Sequence, residues 1–272
     1  DGYLRLKDSL DKFGYNYKIL GFGDKWNGGN MAAGPGGGKK IIYLQDFLKT
    51  CKYKYILFSD CYDVIAMRPA NEIWQKYRNH FNNKVVFSAE KFCWPNKSLE
   101  KVYPETNSNY KYLNSGGFFG PVKEILKIID DPINATSDDQ LYYTEKFLSN
   151  KYNIELDYEC KIFQTLGGSS ISQFNLNLNK SSFTNEYGHD PGLVHGNGGW
   201  KDKMLVNQIG NYFPYRWREI YGYMEKYNFS YNDTKILVTF VSREEVTEKQ
   251  IQFLENCLNK NYTLFIFNKK CE

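Results

Sequence analysis

Two aspartates three positions apart close an apolar run in Tyr55-Ile56-Leu57-Phe58-Ser59-Asp60-Cys61-Tyr62-Asp63-Val64. Such a run reads as a buried strand. Carboxylates at the carboxyl end of a buried strand stand where open α/β sheets bind ligands. Two hard oxygen donors this close suit a divalent cation, Mn2+ or Mg2+, and a diphosphate is the anion it would neutralise. The competing reading is that Asp60 and Asp63 cap a turn after an ordinary strand. A second short apolar run ends in a histidine: Leu193-Val194-His195-Gly196-Asn197-Gly198. A lone histidine is more often structural than a ligand. With both aspartates, however, His195 completes an O,O,N set suited to Mn2+, and the glycines after it leave its imidazole uncrowded. His80 and His189 lie in polar surroundings and take no role.

Four other stretches carry residue types that do chemistry. Residues 21–38 form a long glycine-rich loop with Trp26-Asn27-Gly28-Gly29 and Gly36-Gly37-Gly38-Lys39-Lys40. Glycines at a helix start, followed by lysines, can hold a phosphate. The P-loop pattern is absent, so this is not a Walker loop. Flexible linkage is the alternative, and Trp26 argues against it because a large aromatic packs on something. In Ser88-Ala89-Glu90-Lys91-Phe92-Cys93-Trp94-Pro95, Trp94 is extended or in a turn, and core packing competes with a binding role. Tyr112-Leu113-Asn114-Ser115-Gly116-Gly117-Phe118-Phe119-Gly120 reads as a turn feeding a strand, its paired glycines permitting a ligand to approach the backbone. In Ser137-Asp138-Asp139-Gln140, Ser137 is the expected N-cap of a helix over 138–149, with both aspartates in its first turn.

These segments need elements to hold them. The pattern predicts helices over 3–13, 39–51, 71–80, 122–130 and 138–149. It predicts strands over 17–20, 55–59 and 84–87, and short strands and turns over 154–187. A helix before the first strand is an odd opening for an α/β sheet. A strand over 235–241, a helix over 244–259 and a strand over 262–267 then repeat the pattern as a β-α-β unit. The expected organisation is therefore α/β, with one domain over 1–222. The 233–272 unit opens an accessory α/β domain or docks as a tail.

Composition narrows the class. The 272 residues are 42% hydrophobic, enough for a sizeable core, and 23 Tyr with 19 Phe exceed what a core alone needs. A net charge of +4 with interleaved signs gives no case for nucleic acid. No apolar run of about 18 residues is present, so no membrane span is expected. The six cysteines include no C-x-x-C pair, which argues against a zinc ribbon. Six Asn-x-Ser/Thr sequons occur, at Asn96, Asn134, Asn179, Asn228, Asn232 and Asn261, and in so Asn-rich a chain chance explains most of them. The start at Asp1 is neither a methionine start nor a signal peptide, and a fragment or processed form is expected.

Taken in order, these motifs resemble the glycosyltransferase domain of the procollagen lysyl hydroxylases and the related collagen galactosyl- and glucosyltransferases. The resemblance runs from about residue 2 to 217, with Asp138-Asp139-Gln140-Leu141 and Val194-His195-Gly196-Asn197-Gly198 among seven separated motifs. It implies a GT-A type, Rossmann-like fold, a UDP-sugar donor and Mn2+. Asp60, Asp63 and His195 match metal ligands. Trp26 and Tyr62 match positions near the nucleotide and donor pocket, and Lys40 and Lys201 match positions near the UDP phosphates. Gly196 and Asn197 fall in the same site, and Trp94, Asn114, Asp138, Asp139, Gln140 and Asn197 match positions around the sugar and acceptor. The implied activity is transfer of glucose from UDP-glucose to galactosyl-hydroxylysine of collagen or a collagen-like protein. Galactose transfer to hydroxylysine and a non-catalytic collagen-binding domain are the alternatives. The family's first, uridine-contacting strand is not in this sequence, and a missing edge strand makes a homodimer an expectation. The acidic run before Gln140 is short, and no His-x-Asp motif of an iron- and 2-oxoglutarate-dependent dioxygenase occurs, so no hydroxylase activity is expected of these residues. The composition suggests an AT-rich genome and so a viral or protist relative. The compartment stays open: endoplasmic reticulum lumen for a cellular protein, host cell or virion for a viral one.

Overall fold

Val85-Val86-Phe87 and Phe118-Phe119 place large apolar side chains on both faces of their strands, so both faces of the sheet must be covered. The structure, a computed structural model, describes residues 2–30, 34–177, 182–198, 235–241, 252 and 262–268. It divides the chain into two units, 1–217 and 218–272.

In the first unit, strand β4 (Tyr112–Pro121) is antiparallel to β1 (Tyr55–Ser59) on one side and to β3 (Val85–Glu90) on the other. Strand β5 (Ile154–Leu156) continues the sheet parallel to β3, giving the order β1-β4-β3-β5. A second sheet joins β2 (Val64–Ala66), β9 (Leu193–His195) and β6 (Phe163–Thr165) in the order β2-β9-β6. A small hairpin pairs β7 (Asn175–Asn177) with β8 (Ser182–Thr184). The architecture is mixed α/β.

The period-2 alternation sorts side chains to the two faces. Val85, Phe87, Ala89 and Phe118 pack with helices α2 (Gly38–Leu48), α4 (Val122–Ile128) and α5 (Asp139–Leu148). Val86 and Phe119 pack with α1 (Gly2–Lys12), α3 (Ala70–His80) and the second sheet. Leu6 and Leu10 of α1 face that cluster, whereas Leu4 points to solvent. Two polar contacts fix α1 against β2. Ser9 Oγ accepts from the Ala66 backbone N–H at 2.9 Å, and Arg5 donates to the Tyr62 carbonyl at 3.0 Å.

Several expectations change. Residues 17–20 form no strand. They join no hydrogen-bonded ladder, and a β-strand exists only through its partner. Strand β3 extends through Ser88-Ala89-Glu90, because these residues pair with β4 after a register shift between Phe87 and Ser88. Asn114 to Gly117 lie inside β4 rather than in a turn before it. Gly116 and Gly117 serve protein packing, not ligand approach: a Cβ on Gly116 would strike the His195 ring, and one on Gly117 would meet Phe163. The N-cap of α5 is Asp138, not Ser137. Its carboxylate accepts from the Leu141 N–H at 2.8 Å, and the helix starts one residue later than expected.

In the second unit, β10 (Lys235–Val241) and β11 (Tyr262–Asn268) are parallel neighbours, as a β-α-β unit requires. The helix expected over 244–259 and the end of the first domain over 201–222 lie outside the described residues, apart from Gln252.

Phe118 sits at the centre of the first core, with its ring 4.7 Å from Phe58, 4.8 Å from Phe87 and 5.5 Å from Tyr143. Phe118→Ala is expected to cost about 3–5 kcal/mol of stability, read as a lower urea midpoint. A cost below about 1 kcal/mol would show that this aromatic cluster does not hold the sheet to its helices.

Candidate active site

The polar residues gather where strands end. Past β1, the Asp60 backbone N–H donates to the Gly116 carbonyl at 2.9 Å, which continues the β1–β4 alignment by one residue. The chain then turns into β2, whose Val64 pairs with His195 of β9. This register places Asp63 beside a residue 132 positions away in sequence. Gly196 N–H donates to the Asp63 carbonyl at 2.7 Å, so that backbone amide is committed within the protein. His195 Nε2 and Asp63 Oδ1 lie 3.3 Å apart, and both side chains are buried. The imidazole is therefore enclosed rather than uncrowded, sitting in the space left by the missing Cβ of Gly116. Burial opposes charge on His195, but the Asp63 hydrogen bond and charge, with Asp60 and Glu90 adding, hold its pKa above the usual histidine value. His195 Nδ1 is buried without a hydrogen-bond partner.

Asp60 faces a cation. Lys40 Nζ lies 3.0 Å from Asp60 Oδ1 and 2.7 Å from Asp139 Oδ2. Burial pulls the Lys40 pKa down, and the two carboxylates outweigh it and drive it upward. The glycine loop creates this contact. Gly37 N–H donates to the Gly28 carbonyl, Gly38 to Ser137, Lys39 to Ala135, and Asp139 N–H to the Gly36 carbonyl. Gly37, at φ 99°, caps α2, and a Cβ there would strike the Asp139 carboxylate. The start of α2 is thus stitched to the 135–139 segment. Its amides are spent on backbone carbonyls, so the expected phosphate cradle at that helix start is not formed. Trp26 folds over its own loop, with Nε1 donating to the Gly29 carbonyl at 2.7 Å and its ring against Gly28. Tyr62 is exposed on the groove wall.

A third group centres on a residue that strand reading passed over. Glu90 ends β3 and is buried. Its Oε1 accepts from Gln140 Nε2 at 2.6 Å and Asn114 Nδ2 at 3.2 Å, and its Oε2 from Asn197 Nδ2 at 2.6 Å. Asn197 Oδ1 also accepts from the Leu166 and Gly167 amides, at 2.9 and 2.8 Å. Gln140 Nε2 reaches the Trp94 carbonyl at 3.2 Å. Asn114, Gln140 and Asn197 are therefore second-rank partners that hold a carboxylate. Burial raises the Glu90 pKa to about 6, against the pull of these amides and of His195. The signal that marked Asp60, an apolar run ending in an acid, also marks Glu90. Asp138 is half-buried, with its pKa raised by burial and lowered in part by the Leu141 N–H it caps. Lys201 lies outside the described residues.

Of the expected site residues that are described, all but Gly196 line one groove with Glu90, of about 2030 Å³, that continues along the β1 edge and residues 15–20. Ordinary small-molecule pockets run to about 1,000 Å³, so there is room for more than one substrate. The donor chemistry of Asp60, Asp63 and His195 fits a divalent cation. Asp60 is turned onto Lys40, and among the described residues no three His, Cys, Asp or Glu side chains converge on one point.

Residues 1–223 match the family model described as the PLOD GT domain. This chain belongs to that family. It is 38% identical over 236 residues to the multifunctional procollagen lysine hydroxylase and glycosyltransferase of Caenorhabditis elegans, covering 82% of this chain and 32% of that protein. An uncharacterised protein of Acanthamoeba polyphaga mimivirus is 40% identical over 217 residues, or 78% of this chain and 46% of its own. Human multifunctional procollagen lysine hydroxylase and glycosyltransferase LH3 is 36% identical over 229 residues, or 80% and 30%. The chain spans between under a third and just under half of these relatives' lengths. The PLOD GT domain match covers every described residue of the groove. Among the described residues no helix is long and apolar enough to cross a membrane.

Two outcomes are expected. Lys40→Met leaves two largely buried carboxylates facing one another without a cation, and should cost about 3 kcal/mol. A second change, Asp139→Asn, should restore part of it in a urea titration; a neutral Lys40→Met would remove the bridge from the account. Burial lets the folded Glu90 carboxyl keep its proton to about pH 6, against the ordinary value of 4.5. The folded state therefore binds more protons between those values, and stability falls as pH rises through that window, by about 2 kcal/mol in total. In Glu90→Gln that fall should vanish from denaturation midpoints measured between pH 4 and 7.

Proposed function

We propose that this domain is a GT-A type glycosyltransferase that moves glucose from UDP-glucose to galactosyl-hydroxylysine of collagen or a collagen-like protein. The observation that carries the reading is the convergence of Asp60, Asp63, Glu90, Asp139 and His195 from separate strand and helix ends on one groove with a buried lysine among them. Membership of the PLOD GT domain family supports it, as do relatives named multifunctional procollagen lysine hydroxylase and glycosyltransferase.

In this reading Asp60, Asp63 and His195 hold Mn2+, which when bound supplies Lewis-acid stabilisation of charge on the leaving diphosphate. Lys40 keeps positive charge at the same strand end and adds to that stabilisation. With a cation beside Asp60, Lys40 has less call to neutralise that carboxylate and remains tied to Asp139. Trp26 and Tyr62 give aromatic walls to the nucleotide side. Glu90, fixed by three amides, presents a carboxyl of raised pKa beside Asn114, Gln140 and Asn197 on the sugar side. Glucose joined α to galactose keeps the donor's configuration, so no inverting base is needed. Asp139 and the half-buried Asp138 then position the acceptor or stabilise positive charge at the anomeric carbon.

The test is transfer from UDP-glucose to galactosyl-hydroxylysine peptide, followed by mass spectrometry with Mn2+ and with chelator. Wild type should transfer only with the metal. Asp60→Ala and His195→Ala should each lose about 100-fold or more, with folding checked by circular dichroism. Transfer that survives both substitutions would sink the metal assignment. No UDP-sugar turnover at all would favour a binding domain.

A further inference from the structure

The loop that follows Glu90 carries two large aromatic side chains to the mouth of the groove. Phe92 is 58% exposed and Trp94 52%, and both line the groove. Single exposed apolar residues are ordinary on any surface. These two are neither scattered nor loosely held. Lys91 Nζ donates to Ser169 Oγ at 2.9 Å and lies over the Tyr110 ring, 5.0 Å from its centroid. The Lys111 N–H donates to the Glu90 carbonyl, and Gln140 Nε2 to the Trp94 carbonyl. The loop is thus anchored on both sides of Phe92.

The Phe92 ring edge rests on Gly168, where an added Cβ would meet it at 2.6 Å. Gly168 has φ 70°, and its neighbour Gly167 sits close against the Asn197 amide, with an added Cβ 2.9 Å from Nδ2. The turn that carries Phe92's support is therefore the same turn that Asn197 grips through the Leu166 and Gly167 amides. Asn197 in turn holds Glu90. One connected set of contacts fixes an exposed phenyl ring relative to a buried carboxyl at the end of β3.

A rigid aromatic face next to polar groups suits a ligand with one apolar and one polar side. A pyranose is such a ligand: its C–H face lies on an aromatic ring while its hydroxyls turn to carboxylates and amides. The nucleotide side of the groove already has Trp26 and Tyr62. Phe92 stands instead with Glu90, Gln140 and Asn197. We infer that Phe92 is the platform on which the acceptor's own sugar ring stacks, so that the domain selects a glycosylated over a bare hydroxylysine acceptor. The inference deepens the glycosyltransferase reading and rests on it for the word acceptor. The stacking itself is a statement about a pyranose and this ring. Phe92 touches the acceptor sugar and takes no part in bond making.

Two measurements separate the inference from the reading beneath it. The first is binding of galactosyl-hydroxylysine, and of free hydroxylysine, followed by saturation-transfer NMR and calorimetry. Wild type should saturate the C–H protons of the galactose ring and bind the glycoside more tightly than hydroxylysine. Phe92→Ala should weaken glycoside binding about tenfold, the scale of one aromatic contact. Phe92→Tyr should retain it, and hydroxylysine binding should not change. The second is steady-state transfer. Phe92→Ala should raise the acceptor KM about tenfold with kcat and acceptor-free UDP-glucose hydrolysis within about twofold of wild type.

A glycoside that does not bind, or binds Phe92→Ala as well as wild type, overturns the platform. Equal loss of hydrolysis and transfer in a folded Phe92→Ala overturns it too, since a support for the whole site would do that. If glycoside binding depends on Phe92 but UDP-sugar turnover is absent from wild type, the platform stands and the transferase reading falls.

Discussion

Carboxylates gathered in one groove repel, and the site depends on how that repulsion is met. Asp60 and Asp139 come from the end of β1 and the start of α5 and share the Lys40 amine. Asp63 meets His195, and Glu90 is held by three side-chain amides. The four acids are thus compensated in three ways: by a fixed cation, a titratable ring, or neutral donors. The differences order the groove. Under the proposed function the cation and the imidazole would face the diphosphate. The amides would, in the same proposal, face a neutral sugar. A buried charge without its partner costs several kcal/mol, so these pairings also fix the backbone segments that carry them.

The sheet serves that arrangement through its ends. β4 aligns β1 and β3 so that Asp60 and Glu90 finish near Asn114 and Gly116. The second sheet brings Asp63 and His195 together by the pairing of Val64 with His195. Gly116 links the two sheets, because only a residue without Cβ leaves room for the His195 ring over β4. The glycine loop 28–38 ties α2 to the start of α5 and so delivers Lys40 to Asp139. The result is a scaffold in which loops carry the chemistry but strand and helix ends set its dimensions.

How much of this was legible depends on the kind of signal. Helices α2, α3 and α5 stand where the 3.6-residue pattern placed them, to within a few residues, because their apolar faces are continuous in sequence. The acids at 60 and 63 were legible from an apolar run that ends in charge. Glu90 carries the same signal, but the pattern ends its strand at Phe87 and leaves the acid outside it. The expected strand over 17–20 failed for a related reason: propensity supplies an extended chain, whereas a strand needs a neighbour. The paired glycines of β4 suit a ligand approach by residue type, yet they accommodate two of the protein's own rings.

The sequence by itself determined the list of chemical groups and their order: two aspartates after a strand, a glycine-rich loop before a lysine, an aspartate pair at a helix start, a histidine after a short apolar run. Those follow from local period and residue type. Only the tertiary structure decided which group faces which. Lys40 lies between Asp60 and Asp139, His195 lies beside Asp63, and Asn114, Gln140 and Asn197 surround Glu90. These partners are 20 to 132 positions apart. Strand register and the absence of a Cβ at Gly116 and Gly37 bring them together, and neither can be computed from the spacing of residues along one element.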